Sequence, residues 1–229
     1  MQFNLTGRNL TRRLAGIGAV LAFACVTLIP VSAQAGAQAY EQLSASVRAR
    51  LQKAISDKPV PVDAFDNDHQ AHVWLDAMSK RLQRRIPVQG ERDDLVRSVL
   101  YESRRAGLDP ELVLGLIQVE SDFRKYAVST AGAMGYTQVM PFWVKEIGTA
   151  GQSLFHIRNN LRFGCVILRH YLDIEHGDLF RALGRYNGSL GQAEYPNLVL
   201  AAWKNSWTYA ILRVDNSGTP SRPTRSTRY

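Results

Sequence analysis

The sequence predicts a mainly α-helical protein, on three observations. Apolar residues recur at helical spacing along most of the chain, beginning with Leu43, Val47, Leu51 and Ile55. Capping residues and glycine stops separate these stretches, and Asp109-Pro110 is a strong helix start. No segment shows the sustained alternation typical of a strand, although Ser129 to Thr137 is compatible with a short hairpin.

Residues 1–35 are typical of a secretory signal. Three arginines and no acid precede an apolar run from Leu14 to Val26, and Ala33-Gln34-Ala35 follows as a signal-peptidase site. The alternative is an uncleaved membrane anchor, but Thr27 and Pro30 interrupt the run before the ~20 apolar residues that a spanning helix needs. We expect cleavage after Ala35, no stable membrane span thereafter, and a periplasmic or secreted protein.

The chain is basic, with 28 Lys and Arg against 20 Asp and Glu. This balance suits an acidic polymer, and peptidoglycan, nucleic acid and a membrane surface all fit it. Nucleic acid is disfavoured because no basic run is long or interleaved with aromatic residues. Cys25 lies in the predicted signal, so the mature chain would hold Cys165 alone, without an internal disulfide and in an apolar setting.

Residues 36–90 are predicted to form an N-terminal helical extension and linker. The apolar stripe predicts a helix from Gln38 to Ile55, and Ala71 to Ile86 reads as a second one. Prolines and acids between Asp57 and Asp68 favour an extended linker. His69 and His72 are weak candidates for metal ligands because a third placed ligand is missing, so no metal and no cofactor are expected.

The following region continues the helical pattern. The predicted helices run over residues 92–105, from Asp109 to Glu120, over 142–147, from Asn159-Asn160 to Tyr171, from Asp178 to Tyr186, and over 197–212. Trp203 and Trp207 in the last helix are interpreted as packing residues. Residues 214–229 have no periodicity and no acid, and predict a disordered basic tail.

Glu120 ends the most apolar of these helices. Val113, Ile117 and Glu120 fall at i, i+4 and i+7, which places the carboxyl on the buried face. Burial disfavours the charged form and raises the pKa of a carboxyl, as a general acid working near neutral pH requires. The alternative is a charged residue that simply ends a helix.

A glycine-rich polar loop follows Glu120. Gly132 and Gly135 allow the backbone to approach a ligand closely, while Ser129 and Gln138 supply donors and acceptors. Met140-Pro141 then adds an apolar wall. An acid on a buried helix face followed by such a loop indicates a binding cleft with one candidate catalytic group.

The segment from Glu120 to Pro141 resembles the central motif of the soluble lytic transglycosylase catalytic domain. The shared pattern is Glu-Ser-x-Phe-x-x-x-Ala-x-Ser-x-x-Gly-Ala-x-Gly-x-x-Gln-x-Met-Pro. Two later blocks agree in order, because Asn160 to Gly164 is similar to the family's Asn-x-x-x-Gly helix start and Ala182 to Asn187 to its Ala-x-x-x-Tyr-Asn block. Three ordered blocks are more specific than any lone motif.

The resemblance implies a lysozyme-like helical catalytic domain over residues 91–213, related to goose-type lysozymes. It implies cleavage of the β-1,4 bond between MurNAc and GlcNAc in peptidoglycan, with formation of 1,6-anhydroMurNAc ends. Glu120 would be the catalytic acid and base. The substrate-binding residues would be Ser129, Gln138, Met140, Tyr186 and Asn187, and the Tyr186 hydroxyl would contact Glu120 or the sugar.

Two alternatives stay open: a lysozyme-type hydrolase, and a wall-binding or assembly scaffold without turnover. A hydrolase would place a second carboxyl across the scissile bond. Asp122 turns about 200° away from Glu120, Glu111 lies about 13 Å of helix rise away, and Glu146 stands among apolar residues, so none is an attractive partner. The biological partner also stays open between general wall turnover and a wall-spanning secretion or pilus machinery.

Overall fold

Eight α-helices cover most of the part of the chain that the structure describes. This computed structural model describes residues 38–56, 68–209, 213–214 and 220–221. The helices are α1 (Ala45–Ile55), α2 (His69–Leu82), α3 (Gln89–Arg105), α4 (Pro110–Ser121), α5 (Pro141–Ile147), α6 (Ile157–Ile174), α7 (Leu179–Asn187) and α8 (Glu194–Ala202). A π-helical turn, Trp203–Trp207, follows α8, and β1 (Arg213–Val214) pairs antiparallel with β2 (Pro220–Ser221). The predicted mainly helical fold class is confirmed.

Helix α4 lies at the centre of the fold and carries Glu120. The Asp109 carboxylate caps it, accepting hydrogen bonds from the N–H groups of Glu111 at 2.7 Å and Leu112 at 3.2 Å. Its side chains are buried on nearly every side, because α3, α8 and the π-helical turn pack around it. The approach is closest at Gly115, where a Cβ atom would lie 2.8 Å from the backbone nitrogen of Trp203.

The other helices form one continuous core around α4. Helix α3 packs against α2 and α6, α6 packs against α7, and α7 packs against α8. Helix α1 packs against α5 and α6, so the N-terminal extension is part of the same core. Its buried residues Leu51 and Ile55 come from the predicted apolar stripe.

The boundaries of several helices differ from the sequence prediction. Helix α1 begins at Ala45 rather than near Gln38, because Ser44 adopts an extended conformation and its hydroxyl accepts a hydrogen bond from the Val47 N–H. Helix α6 begins at Ile157, so Asn160 lies inside its first turn. The last predicted helix is replaced by α8, which begins earlier at Glu194, and by the π-helical turn.

Three predicted segments lie outside the described residues: the signal, the linker between Ser56 and Asp68, and most of the basic tail. Within the described ranges, no helix combines the length and apolarity needed to cross a membrane. The same ranges contain no group of three His, Cys, Asp or Glu side chains arranged to hold a metal ion. Cys165 is buried, as predicted, and burial raises the pKa of its thiol.

A buried ionic cluster joins α3 to α6. Glu102 is only 1% exposed and accepts hydrogen bonds from Arg162 at 2.8 and 3.2 Å and from Arg105 at 3.1 Å. Arg162 and Arg105 also donate to the carbonyls of Ile55 and Ala54, respectively, at the end of α1. The cluster therefore links α1, α3 and α6 through ion pairs and hydrogen bonds.

We predict that Glu102→Ala lowers the free energy of unfolding by about 3–5 kcal/mol, because it removes the buried carboxylate that the buried Arg162 and the half-buried Arg105 share. Urea unfolding followed by circular dichroism measures the change. Asp76→Ala is the matched control, since it removes a carboxylate from the exposed pair with Lys80 and should leave the unfolding midpoint unchanged. Equal effects of the two substitutions would contradict a structural role for the cluster.

Candidate active site

Glu120 lies in the last turn of α4 and is 7% exposed. Its Oε1 atom accepts a hydrogen bond from the Tyr195 hydroxyl, and its Oε2 atom has no hydrogen-bond partner among the described residues. Burial raises the pKa of this carboxyl to about 8, and the hydrogen bond from Tyr195 acts in the opposite direction. Glu120 therefore holds its proton at neutral pH, as its place on the apolar face predicted.

Two tyrosines lie beside this carboxyl. Tyr195 is the one that contacts Glu120, whereas the Tyr186 hydroxyl donates to the carbonyl oxygen of Thr137 at 2.7 Å. The hydroxyl contact with Glu120, one of the two contacts expected for Tyr186, is thus made by Tyr195. Burial raises the pKa of both phenols well above the usual value, and Glu120 raises them further once it is ionised. Both therefore stay neutral and can act as hydrogen-bond donors.

The loop after α4 is held in place by Asn160, in the first turn of α6. Its Oδ1 atom accepts hydrogen bonds from the backbone N–H of Thr137 at 2.8 Å and from the Thr137 hydroxyl at 2.9 Å. Its Nδ2 atom donates to the carbonyls of Met134 at 2.8 Å and Leu154 at 3.0 Å. One buried side chain therefore pairs four groups and fixes the loop against α6.

Two glycines make this contact possible. Gly135 has φ of +78°, and a Cβ atom there would lie 2.3 Å from Asn160 Nδ2. Gly164 lies one turn after Asn160, and a Cβ atom there would lie 2.4 Å from the Thr137 hydroxyl oxygen. The Asn-x-x-x-Gly spacing thus has a physical reason, because Asn160 binds the loop while Gly164 leaves room for Thr137.

Ser129 and Gln138 shape the loop from within. The Ser129 hydroxyl accepts a hydrogen bond from the Ala133 N–H at 3.0 Å. Gln138 is 2% exposed with φ of 48°, and its Nε2 atom donates to the carbonyls of Gly135 at 2.9 Å and Ala127 at 3.2 Å. Their amide and hydroxyl groups are therefore engaged in the turn of the loop itself.

Met140 and Asn187 lie at the two ends of this region. The Met140 N–H donates to the side-chain oxygen of Gln38 at 3.3 Å, which brings the N-terminal segment to the site. Asn187 ends α7, where its Nδ2 atom donates to the Ser189 hydroxyl at 3.0 Å and its Oδ1 atom has no partner among the described groups. Tyr186 precedes Asn187 directly, so this helix end adjoins the Thr137 segment.

The other acids near the motif are engaged elsewhere. Glu111 accepts a hydrogen bond from the Trp74 indole at 3.2 Å, and burial raises its pKa to about 7. Glu146 pairs with Arg48 at 2.9 Å, and the exposed Asp122 pairs with Arg85 at 2.8 Å.

Two residues at the site, Tyr195 and Gln38, were not found from the sequence. Tyr195 lies outside the last predicted helix, which starts at Asn197, whereas α8 begins three residues earlier at Glu194. Glu194 in the first turn, followed by a proline, was the available signal for that earlier start. Gln38 gave no signal, since its contact with Met140 spans 102 positions.

The buried carboxyl generates a prediction about stability and pH. The unfolded chain ionises Glu120 above about pH 4.5, whereas the folded chain keeps the proton up to about pH 8. The contribution of Glu120 to the stability of the wild type therefore falls as pH rises through this window. Glu120→Gln removes the titration, so we predict that its stability relative to wild type increases between pH 5 and pH 8.5, by on the order of a few kcal/mol.

Urea unfolding of both proteins at the two pH values provides the measurement. Glu111 titrates in both proteins, so its effect cancels in the difference between their free energies of unfolding. A stability difference that stays constant with pH would contradict the burial of a protonated Glu120.

Comparison with known proteins agrees with this arrangement. Residues 98–197 match the family model described as "Transglycosylase SLT domain". The chain is 37% identical over 93 residues to the transglycosylase of Enterobacteria phage PRD1, covering 41% of this chain and 34% of that protein. It is 34% identical over 119 residues to a membrane-bound lytic murein transglycosylase C of Glaesserella parasuis, covering 49% of this chain and 30% of the relative. The chain thus spans about a third of the length of these curated relatives.

A solved structure is also similar: an inactive mutant of the lytic transglycosylase Slt from Pseudomonas aeruginosa, with a TM-score of 0.39 and 16% sequence identity, covering 74% of this chain and 35% of that one. The matched range of the family model contains Glu120, the loop, Asn160 and both tyrosines. Residues 98–197 of this chain are therefore similar to a transglycosylase SLT domain.

Proposed function

We propose that the protein is a peptidoglycan lytic transglycosylase that cleaves the β-1,4 bond between MurNAc and GlcNAc and leaves 1,6-anhydroMurNAc ends. One observation carries the proposal. Glu120 is a buried carboxyl with a pKa raised to about 8, one oxygen bound to Tyr195 and the other without a partner among the described residues. The family match and the names of the relatives support the same substrate class.

The first step needs an acid that is still protonated near neutral pH. Glu120 meets this requirement because burial favours its neutral form. The proton would pass from Oε2 to the glycosidic oxygen as the bond from C1 to that oxygen breaks. Tyr195 would hold Oε1 throughout and stabilise the carboxylate that forms, because a hydrogen bond to the charged form favours it.

The second step closes the sugar on itself. The Glu120 carboxylate would take the proton of the C6 hydroxyl of the same MurNAc as its oxygen bonds to C1. Glu120 is then protonated again, no water is consumed, and the product is the 1,6-anhydro sugar. The family resemblance implies that the N-acetyl group of the substrate shields the developing positive charge at C1.

The engagement of the other acids favours this route over hydrolysis. Retaining and inverting hydrolases generally use two carboxyl groups on either side of the scissile bond. Glu111 contacts Trp74, Glu146 contacts Arg48, and Asp122 contacts Arg85. A base that activates water is therefore not offered by these three side chains.

The expected export to the periplasm or the cell exterior would bring the enzyme to the wall. The excess of basic over acidic residues fits a polymer that carries free peptide carboxylates. A dedicated role beside a secretion or pilus machinery, as opposed to general wall turnover, stays a prediction.

We predict that digestion of purified wall sacculi releases muropeptides that end in 1,6-anhydroMurNAc, because the C6 hydroxyl replaces water as the nucleophile. Mass spectrometry before and after borohydride reduction measures this directly. The anhydro ends are one water lighter than the hydrolytic products and do not react with borohydride.

Glu120→Gln is the matched control for this digestion, since it keeps the shape of the side chain and removes the transferable proton. Its rate should fall by about 10²–10⁴-fold or more. Reducible ends in the wild-type digest would identify a hydrolase instead. Wall binding without release of fragments would identify a scaffold.

A further inference from the structure

Residues 38–41, named the strap here, connect two sides of the candidate site. Tyr40 donates a hydrogen bond to Glu146 of α5 at 3.1 Å, and its ring packs edge-on against Phe142 at 5.5 Å between centroids. Glu41 pairs with Arg185 of α7 at 3.0 Å. Met140 lies directly before α5, and Tyr186 follows Arg185. The strap therefore runs between the two helices that carry the flanks of the site.

Gln38 inserts from the strap into the site. Its side chain is only 4% exposed, and its Oε1 atom accepts the Met140 N–H at 3.3 Å. The Gln38 side chain also lies near the Tyr186 hydroxyl, where burial raises the pKa of the phenol and Gln38 acts in the opposite direction. The Nε2 atom is buried and makes no hydrogen bond within the described residues. A buried amide nitrogen without a partner is unfavourable, so this site is only half matched by Gln38.

The site that Gln38 fills is suited to an amide. It offers the backbone N–H of Met140 to a carbonyl oxygen, and the phenol oxygen of Tyr186 is a nearby acceptor with which Gln38 Nε2 makes no hydrogen bond. The substrate of the proposed function carries an acetamido group on every sugar, and this group is also an amide. The side chain of Gln38 is thus a chemical mimic of that group.

The Glu120 carboxyl of the candidate site is also buried. Its Oε2 atom is inaccessible to solvent and has no partner in the described part of the chain. A polymer cannot receive a proton from an oxygen that it cannot reach, so the arrangement described here must open before the glycosidic bond can approach.

We propose that the strap is autoinhibitory: the Gln38 amide occupies the position of a substrate acetamido group beside Met140 and Tyr186, and substrate must displace it. This inference rests on the proposed function. The contacts that hold the strap are weak enough for reversible release. The ion pair of Glu41 with Arg185 and the hydrogen bond of Tyr40 to Glu146 lie near the surface, where polar contacts contribute little to stability.

Displacement reduces the apparent affinity for substrate, because only the fraction of molecules with the strap released can bind. Gln38→Ala removes the competing amide and keeps the strap backbone. The loss of one hydrogen bond from the closed state corresponds to about a fivefold change in an equilibrium constant. We therefore expect Gln38→Ala to bind an N-acetylated sugar oligomer about fivefold more tightly.

Calorimetric titration with tetra-N-acetylchitotetraose tests this, with all variants in the full chain carrying Glu120→Gln so that no turnover occurs. Gln52→Ala is the matched control, because Gln52 lies on the exposed side of α1 and its side chain donates to the Glu146 carbonyl at 3.4 Å, outside the strap. Tighter binding by Gln38→Ala alone supports the strap. Unchanged or weaker binding overturns it, and weaker binding would make Gln38 a substrate-binding residue.

A second measurement separates failure of the strap from failure of the proposed function. Hydrogen exchange of the Met140 amide reports the strap without any sugar. The amide should be protected in wild type and in Gln52→Ala, and should exchange faster by about fivefold or more in Gln38→Ala. Equal exchange in all three proteins overturns the strap. If protection of the Met140 amide depends on Gln38 but the wild type leaves purified walls intact after prolonged digestion, the proposed function is overturned and the strap is not.

Discussion

The site depends on one constraint, the burial of a carboxyl group at the end of an apolar helix. An ionised carboxylate at Glu120 would lose its hydration and regain, from the described residues, only the hydrogen bond of Tyr195. The neutral form avoids most of this cost, so the fold and the chemistry favour the same protonation state. The packing of α3, α8 and the π-helical turn around α4 creates that environment, and the close contact of Gly115 with Trp203 maintains it.

The loop beside Glu120 is rigid for a different reason. It contains residues with positive φ, such as Gln138, and such conformations persist only when neighbouring contacts determine them. Asn160 supplies these contacts from α6, and the Ser121 hydroxyl adds another by donating to the Tyr136 carbonyl at 2.8 Å. Glu120 and the loop are thus joined through neighbouring residues of the same motif. This explains why acid, loop and the start of α6 occur together in the sequence.

Local patterns in the sequence were sufficient for much of this architecture. The cap at Asp109, the apolar spacing through Ile117 and the terminal Glu120 predicted an acid on the buried face of an apolar helix, and the burial of Glu120 is confirmed. The apolar stripe also predicted helix α1, and its residues Leu51 and Ile55 are buried where α1 packs against α5 and α6.

Contacts between distant residues could not be predicted in this way. The hydrogen bond of Tyr195 to Glu120 joins two helices across 75 positions, and the Tyr186 hydroxyl finds Thr137 across 49. Contacts at such separations produce no periodic pattern in the sequence, because the partner of a buried hydroxyl depends on how the helices pack. The non-helical conformation of residues 38–43 is not predicted from the sequence for a related reason, because Gln38 and Tyr40 contact residues far along the chain.

The most direct test of this account is the titration of Glu120 itself. Selective ¹³C labelling of glutamate carboxyls, with Glu120→Gln used to assign the signal, allows its protonation to be followed by NMR. The account predicts a midpoint near pH 8, far above the usual value of 4.5. A midpoint near 4.5 would show that Glu120 is ionised at neutral pH, and that it cannot serve as the proton donor.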